Sequence, residues 1–305
     1  MNKNHLKIWI FVAIGLFPLV GFAMTSTNYQ ITWDDINVGG TDQSSSSNYY
    51  LDDSIGGLAT GDSTSSEYSL SAGYRIGDNL LPYLSFDIGT QNTNIQSAWT
   101  AFSNGGLTVT VADDSGFATG TFIGVIENEG FGQLVAIGKI ASILSGTITV
   151  DSWVGDSASL SSTPAGSDDY VYPLTSNGVD FGLLYQEIEY ARLQYTSVTT
   201  NAENGYTVSV IADTSLESGS QNIHPVEDGE VTVTSEEYGI ESVGSLAVST
   251  DTDIAIPTST ASSIQTSASS ASDDRMGIIY KLSIDGRTPT GNYSQTVRYR
   301  VTGNF

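Results

Sequence analysis

The sequence predicts an all-β protein, and two observations support this prediction. Short runs rich in Val, Ile, Thr and Tyr recur along the chain, and in many of them apolar and polar residues alternate as they do in half-buried strands. Gly, Asn, Asp and Ser separate these runs and favour turns. Because the chain contains no cysteine, the fold must be stabilised by burial and backbone pairing without disulfides.

The first 23 residues have the features of a secretory signal peptide. Lys3 and Lys7 precede an apolar run over residues 8–22, and Gly21 and Ala23 provide small residues at the spacing of a signal-peptidase site. The run is shorter than the roughly 20 apolar residues of a membrane span, and an uncleaved anchor is the alternative. We therefore expect a secreted or cell-surface protein with no transmembrane span after cleavage.

The exported chain is predicted to be strongly acidic. The full sequence has 10 basic and 34 acidic residues and a net charge of −24, and removal of the signal peptide deletes two lysines, which makes the charge −26. Such a negative field disfavours binding to nucleic acid and keeps a Ser-, Thr- and Gly-rich protein soluble. Cations, basic partners and glycans are the better candidates.

Residues 24–79 are predicted to form a β-ribbon rich in Tyr, Ser and Gly. The unit Ser-Ser-x-Tyr-x-Leu occurs at residues 46–51 and again at residues 65–70, with three glycines between the copies. Exposed tyrosines in such a ribbon can contact sugar rings, although packing between neighbouring strands is the favoured interpretation. The candidate ligand-contact residues are Tyr49, Tyr50, Tyr68 and Tyr74.

A larger β-domain is predicted from residues 80–94 and 176–305, with a small β-barrel or sandwich inserted at residues 95–175. The sequence LLPYLSFDI at residues 80–88 predicts a strand, and VDFGLLY at residues 179–185 predicts its continuation. The runs between them, such as SGTITVDSWV, are short and separated by Gly, Asp and Ser. This pattern is typical of a small module placed in a surface loop.

Three further segments predict local structure. Residues 94–103 are expected to form a short helix at the entrance of the inserted module. In TTNAENGYTVSV, residues 199–210, the pair Asn204-Gly205 interrupts a strand-like run and predicts a turn. Residues 245–274 are rich in Ser, Thr and Ala and have few side chains to bury, so an exposed loop is expected there.

The sequence disfavours common catalytic devices, so we predict that the protein is not an enzyme. After signal removal His224 is the only histidine, and no Gly-x-Ser-x-Gly elbow is present, which argues against a Ser-His-Asp hydrolase and a histidine zinc site. The paired carboxylates of a glycosidase are an alternative. Neighbouring acids on one strand, however, point to opposite faces.

Loop carboxylates provide the candidate metal ligands. Asp side chains and backbone carbonyls in loops can hold Ca²⁺, although the sequence has neither an EF-hand loop nor a nonapeptide calcium repeat. We therefore expect no cofactor, and calcium is the alternative. Its candidate ligands are Asp113, Asp114, Asp251 and Asp253.

Lys281 lies in the strand-like run IIYKLSI, residues 278–284. The favoured interpretation is a lysine that points outward from an edge strand. The alternative is a buried lysine joined to an Asp or Asn side chain by an isopeptide bond, as in some bacterial adhesin sandwiches.

Several of these segments resemble a family pattern. Four segments resemble parts of secreted, uncharacterised bacterial surface proteins. They are the Ser-Ser-x-Tyr-x-Leu repeat, the proline-led strand, residues 199–210 and PTGNYSQTV at residues 289–297. The core domain of those proteins is similar to the Ig-like β-sandwiches of WxL-type surface proteins and of spore coat U or pilin-like subunits. Residues 111–126, VADDSGFATGTFIGVI, are similar to small β-modules of phage tail and fibre proteins. The tryptophans lack the x-Leu that completes a WxL wall-binding motif.

The resemblance implies an Ig-like β-sandwich interrupted by a small β-module, acting as a non-enzymatic structural or adhesive protein at the cell surface. Exposed sheet edges would allow strand pairing with other surface proteins or with copies of the same chain. The alternative is a secreted carbohydrate-binding or carbohydrate-active protein that uses loop carboxylates and tyrosines.

Overall fold

The computed structural model confirms the all-β prediction. It describes residues 81–305 in full and, before them, only the backbone of four strands, which are β1 (Gly39–Ser45), β2 (Tyr50–Ile55), β3 (Gly61–Thr64) and β4 (Ser69–Ala72). The described residues contain no helix, so no helix among them has the length and apolarity to span a membrane. The predicted signal peptide lies outside the described residues.

The chain divides into two units, with the boundary between Leu81 and Pro82. In the first unit β1 pairs with β2 and β3 pairs with β4, both in antiparallel orientation. The strands of the second unit are β5 (Leu84–Thr90), β6 (Ser97–Ser103), β7 (Thr108–Val111), β8 (Phe122–Glu127), β9 (Leu134–Leu144), β10 (Thr147–Val150), β11 (Val154–Gly155), β12 (Tyr170–Pro173), β13 (Glu189–Thr200), β14 (Tyr206–Ala212), β15 (Leu216–Ser218), β16 (Gln221–Pro225), β17 (Glu237–Val243), β18 (Ser262–Ser267), β19 (Ala271–Ser283) and β20 (Val297–Gly303).

Two sheets of unequal size form a sandwich in the second unit. The larger sheet has the order β15-β16-β17-β19-β13-β5, and the smaller sheet has β14 between β18 and β20. Alternate residues of β14 are buried, as its period-2 sequence predicts. These residues pack against β17 and β19 in a common core. Its largest members include Tyr206, Val208, Ile240, Ile264, Met276, Ile278 and Leu282.

The segment between β5 and β13 forms a closed ring of strands. Its order is β10-β7-β6-β12-β8-β9, and β9 also pairs with β10, which closes the ring. β11 adds to the outer edge of β9. Inside the ring lies a second core, whose members include Trp99, Phe102, Val109, Ile123, Val125 and Ile148.

The central strands β13 and β19 of the six-stranded sheet are buried on both faces, because the ring packs against the face opposite the small sheet. Leu193 of β13 lies in this third core, together with Ile137 of β9. Glycines allow the close approach, since a Cβ at Gly124 of β8 would overlap Leu193 Cδ2 and a Cβ at Gly277 of β19 would lie 2.9 Å from Ile137 Cδ1. The ring and the sandwich therefore share one layer of side chains.

The turn between β13 and β14 binds chain segments from both ends of the second unit. Tyr83 donates its backbone N–H to Asn201 Oδ1 over 2.7 Å. Asn304 donates its backbone N–H to the carbonyl oxygen of Gly205 over 2.8 Å. Gly205 has a φ of +74°, which agrees with the turn that the pair Asn204-Gly205 predicts.

Three local predictions are wrong. Residues 94–103 do not form a helix, because residues 97–103 are strand β6, in which Trp99 turns into the ring core. Residues 179–185 do not continue a strand, since the chain there is irregular. Residues 245–274 are not an exposed loop throughout, because they contain β18 and the start of β19. Ile264 and Gln265 of β18 are fully buried.

Candidate binding groove

A large apolar groove opens between the two sheets of the sandwich. It has a volume of about 1040 Å³, at the upper end of the roughly 300–1,000 Å³ of typical ligand pockets. Side chains from the six-stranded sheet, from β20 and from the loops 176–184 and 288–296 line it. They include Phe86, Ile88, Phe181, Leu184, Tyr280, Leu282, Tyr293, Val297 and Tyr299. We refer to this cavity as the groove.

The groove exists because three strands cannot cover a sheet of six. One edge of the small sheet, β18, is covered, since Val248 N donates to Ile264 O over 3.0 Å and Thr266 N donates to Leu246 O over 3.2 Å. The other edge, β20, pairs only with β14 among the described strands. The sandwich is therefore closed beside β18 and open beside β20.

Partly exposed apolar side chains lie along the open side. Phe86 and Ile88 of β5 point to the sandwich interior, because they lie opposite the core residue Val198 and its neighbour Thr196 in the strand register. Val297 and Tyr299 of β20 are half-buried. A strand edge with free backbone groups beside apolar side chains is a template for the addition of another strand.

Several of the polar groups in the groove are neutral side chains that bond to one another. The hydroxyls of Tyr280 and Tyr299 bond to each other, and Tyr238 donates its hydroxyl to Gln295 Oε1 over 3.2 Å. Burial raises the pKa of Tyr280 to about 12, and burial with the neighbouring phenol raises the pKa of Tyr299 well above 10. Both phenols therefore stay protonated at neutral pH, which does not suit a nucleophile or a general base.

Gln194 leaves one hydrogen-bond acceptor unused in the groove. This residue lines the groove and is only 7 % exposed. Its Nε2 donates to Thr90 Oγ1 over 3.1 Å. Its Oε1 is buried and has no hydrogen-bond partner among residues 81–305. A buried acceptor without a partner is energetically costly.

The four predicted calcium ligands do not come together. Asp113 accepts a bond from Ser115 N, which lowers its pKa, and Asp114 accepts one from Gly146 N, both in loops of the ring. Asp251 and Asp253 lie between β17 and β18 in the sandwich, and Asp253 is paired with Lys281. Within the described part of the chain, no group of three or more His, Cys, Asp or Glu residues could hold a metal ion.

The predicted edge position of Lys281 is wrong, since β19 lies between β17 and β13 in the middle of the larger sheet. His224 is exposed on β16, and its ring makes no hydrogen bond or ion pair with an acid or a hydroxyl among residues 81–305.

The predicted ligand-contact tyrosines lie largely beyond the described residues. Tyr49, Tyr68 and Tyr74 are outside them, and Tyr50 is described only as a backbone position of β2 paired with Ser45. The sequence analysis missed the tyrosines of the groove. The alternation of residues in IIYKLSI and TVRYRV could have predicted them, because it places Tyr280 and Tyr299 on the inner faces of β19 and β20.

Comparisons with known proteins complete the description of the site. No family model matches the chain, and neither curated proteins nor solved structures give a match. The geometry of the groove therefore carries the functional interpretation.

Proposed function

We propose that this protein is a non-enzymatic, exported structural or adhesive subunit that binds another copy by accepting a strand in the groove. The observation that supports this function is the groove itself, an apolar cavity beside the unpaired edge of β20. Strand addition would satisfy the free backbone groups of β20 and bury the apolar side chains of β5. Such an assembly needs no catalytic residue.

The dimensions fit one added strand. β20 has seven residues and is about 23 Å long at roughly 3.3 Å per residue. A strand of similar length would pair with β20 through its backbone and direct every second side chain toward Phe86, Ile88 and Leu282.

The segment 68–74 of a second copy is the proposed occupant. Its sequence, YSLSAGY, alternates large or apolar residues with Ser and Gly, as a strand with one buried face requires. Part of it, β4, pairs only with β3 among the described strands, which leaves one edge of β4 for another partner. A two-stranded hairpin alone is marginally stable in water, so it gains from joining a sheet.

Charge complementarity favours the same occupant. Residues 24–81 contain eight acidic residues and one basic residue. Arg298 and Arg300 are exposed on β20, and Arg300 has no ion-pair partner among residues 81–305. Residues 68–74 carry no charge themselves, but the acidic residues around them in the sequence would attract these guanidinium groups, and this attraction would speed association at low salt.

Assembly can be tested with residues 24–305 in solution. We expect oligomers whose proportion rises with protein concentration in analytical ultracentrifugation. Ile88→Glu should give a monomer, because a charge would enter the apolar groove. Leu144→Glu, at an exposed apolar position of the ring, is the matched control and should leave assembly unchanged. Monomers at every concentration, or equal loss of assembly in both variants, would contradict the proposal.

Cross-linking between differently labelled chains tests the occupant. The sequence has no cysteine, so Ser71→Cys in one chain and Arg300→Cys in the other create one defined pair for a short bismaleimide. We expect a product that joins the two chains. Ser71→Cys with Ser142→Cys, on the exposed surface of the ring, is the control and should not react. A cross-link within a single chain carrying both changes would show that the segment fills its own groove.

A further inference from the structure

Lys281 occupies an unusual position in the larger sheet. Its side chain is 18 % exposed, and its Nζ lies 2.9 Å from Glu241 Oε2 and 2.9 Å from Asp253 Oδ1. Glu241 lies on β17, next to β19, and Asp253 lies in the segment that follows β17. One ammonium group is therefore in contact with two carboxylates.

The Asp253 carboxyl group is buried more deeply than its partner. Its side chain is 3 % exposed, and its Oδ2 accepts a hydrogen bond from Val231 N over 2.7 Å. Its Oδ1 forms no hydrogen bond within the described residues, although Lys281 Nζ is in contact with it. The short Nζ–Oδ1 distance holds the amine against this carboxyl group.

A third carboxyl group lies on the same face of the sheet. Glu189 lies on β13 two residues from Ala191, which is opposite Lys281, so Glu189 and Lys281 share one face of the sheet. Burial raises the pKa of Glu189 to about 7. The Lys281 charge opposes this shift, and the charges of Asp253, Glu230 and Glu241 add to it. Glu189 is therefore protonated in a large fraction of molecules near neutral pH.

We propose that the folded protein joins Lys281 Nζ to Asp253 Cγ by an amide bond, a covalent link between β19 and the segment after β17. Lys281 Nζ lies 2.9 Å from Oδ1, which is bonded to Cγ, and this fixed contact replaces the encounter of two free reactants. The formation of this bond does not depend on whether the groove is used.

The reaction balances without a further reactant. Burial lowers the pKa of Lys281, but its contacts with Glu241 and Asp253 raise it above the ordinary value. The ammonium therefore becomes reactive by passing one proton to Asp253, which yields a neutral amine and a neutral acid. The nitrogen attacks Cγ, the C–N bond forms and the C–O bond breaks. Glu189 gives its proton to the departing hydroxyl, which leaves as water, and accepts a proton from the nitrogen.

Intact-mass measurement of the unfolded protein tests the proposal directly. The purified chain should be lighter than its sequence by one water, about 18 Da. Succinimides at Asp228-Gly229 or Asp285-Gly286 would cause the same loss, so a protease digest must show one branched peptide that contains both Asp253 and Lys281. An unmodified mass, or a loss located elsewhere, overturns the proposal whether or not any variant folds.

Variants give an independent signature. Asp253→Asn should lose ammonia, about 17 Da, because the amide then provides the leaving group. Lys281→Arg and Glu189→Gln should both show the unmodified mass, the first for lack of a nucleophile and the second for lack of the transferable proton. Lys139→Arg, at the one other lysine after the signal peptide, is the matched control and should keep the water loss. A water loss that persists in Lys281→Arg would also overturn the proposal.

Discussion

Replacing Gly124 with Ala tests the close contact between the ring and the six-stranded sheet. A Cβ at Gly124 would overlap Leu193 Cδ2 and lie 3.4 Å from Leu174 Cδ2. Overpacking of this kind costs about 1–3 kcal/mol of unfolding free energy. Leu193→Ala removes a fully buried side chain and should cost about 3–4 kcal/mol through lost burial and a cavity.

The double variant decides whether this contact is the cause. In Gly124→Ala combined with Leu193→Ala, the added methyl group enters the space that Leu193 leaves. The double variant should therefore be about 2 kcal/mol more stable than the sum of the two single effects. Urea unfolding followed by tryptophan fluorescence measures each value. Gly105→Ala, where a Cβ meets nothing within 4 Å, is the control and should be neutral. Additive effects would refute the packing argument.

Three further predictions concern the turn, an ion pair and a buried acid. Gly205→Ala should lower stability by about 1–3 kcal/mol in thermal unfolding, because φ is +74° and a Cβ would overlap the Ser267 carbonyl. Burial alone would raise the pKa of Asp151, but the ion pair with Arg275 lowers it below its ordinary value of 3.8. The ion pair should therefore stabilise the fold above that value and lose its effect as pH falls through the lower folded pKa, a pH dependence that Asp151→Asn should abolish. Glu189 has a folded pKa of about 7 and an ordinary value of 4.5, so stability should fall as pH rises through this window and Glu189→Gln should flatten the curve.

The sequence predicts those features that depend on neighbours along the chain. The all-β class follows from alternation, and the turn at Asn204-Gly205 follows from the conformational freedom of glycine, which the φ of Gly205 uses. β14 shows the predicted alternation of buried and half-buried positions. In these places the local preference and the final fold agree.

Features that depend on distant partners could not be predicted in this way. β18 contains a buried glutamine, Gln265, which accepts a bond from Thr196 Oγ1 and donates one to the Tyr206 hydroxyl, each over 2.8 Å. A Ser- and Thr-rich segment with such a residue has the composition of a loop, and only its three-dimensional partners make burial favourable.

The groove could not be predicted from the sequence either. It results from the pairing of a three-stranded sheet with a six-stranded one, and strand order is set by long-range contacts. Lys281 shows the same limit, because an edge strand and a central strand have similar sequence patterns when one face carries charged residues.

The turn between β13 and β14 has a mechanical consequence. Because Tyr83 and Asn304 are both bound to this turn, a tensile load applied between them would peel β5 from β13 and β20 from β14 one rung at a time. Peeling requires much less force than sliding whole strands past each other. A fibre of such units would resist a pulling force only if the force acted along a strand paired with β20. The hydrogen bonds between that strand and β20 would then be loaded in shear, all at once.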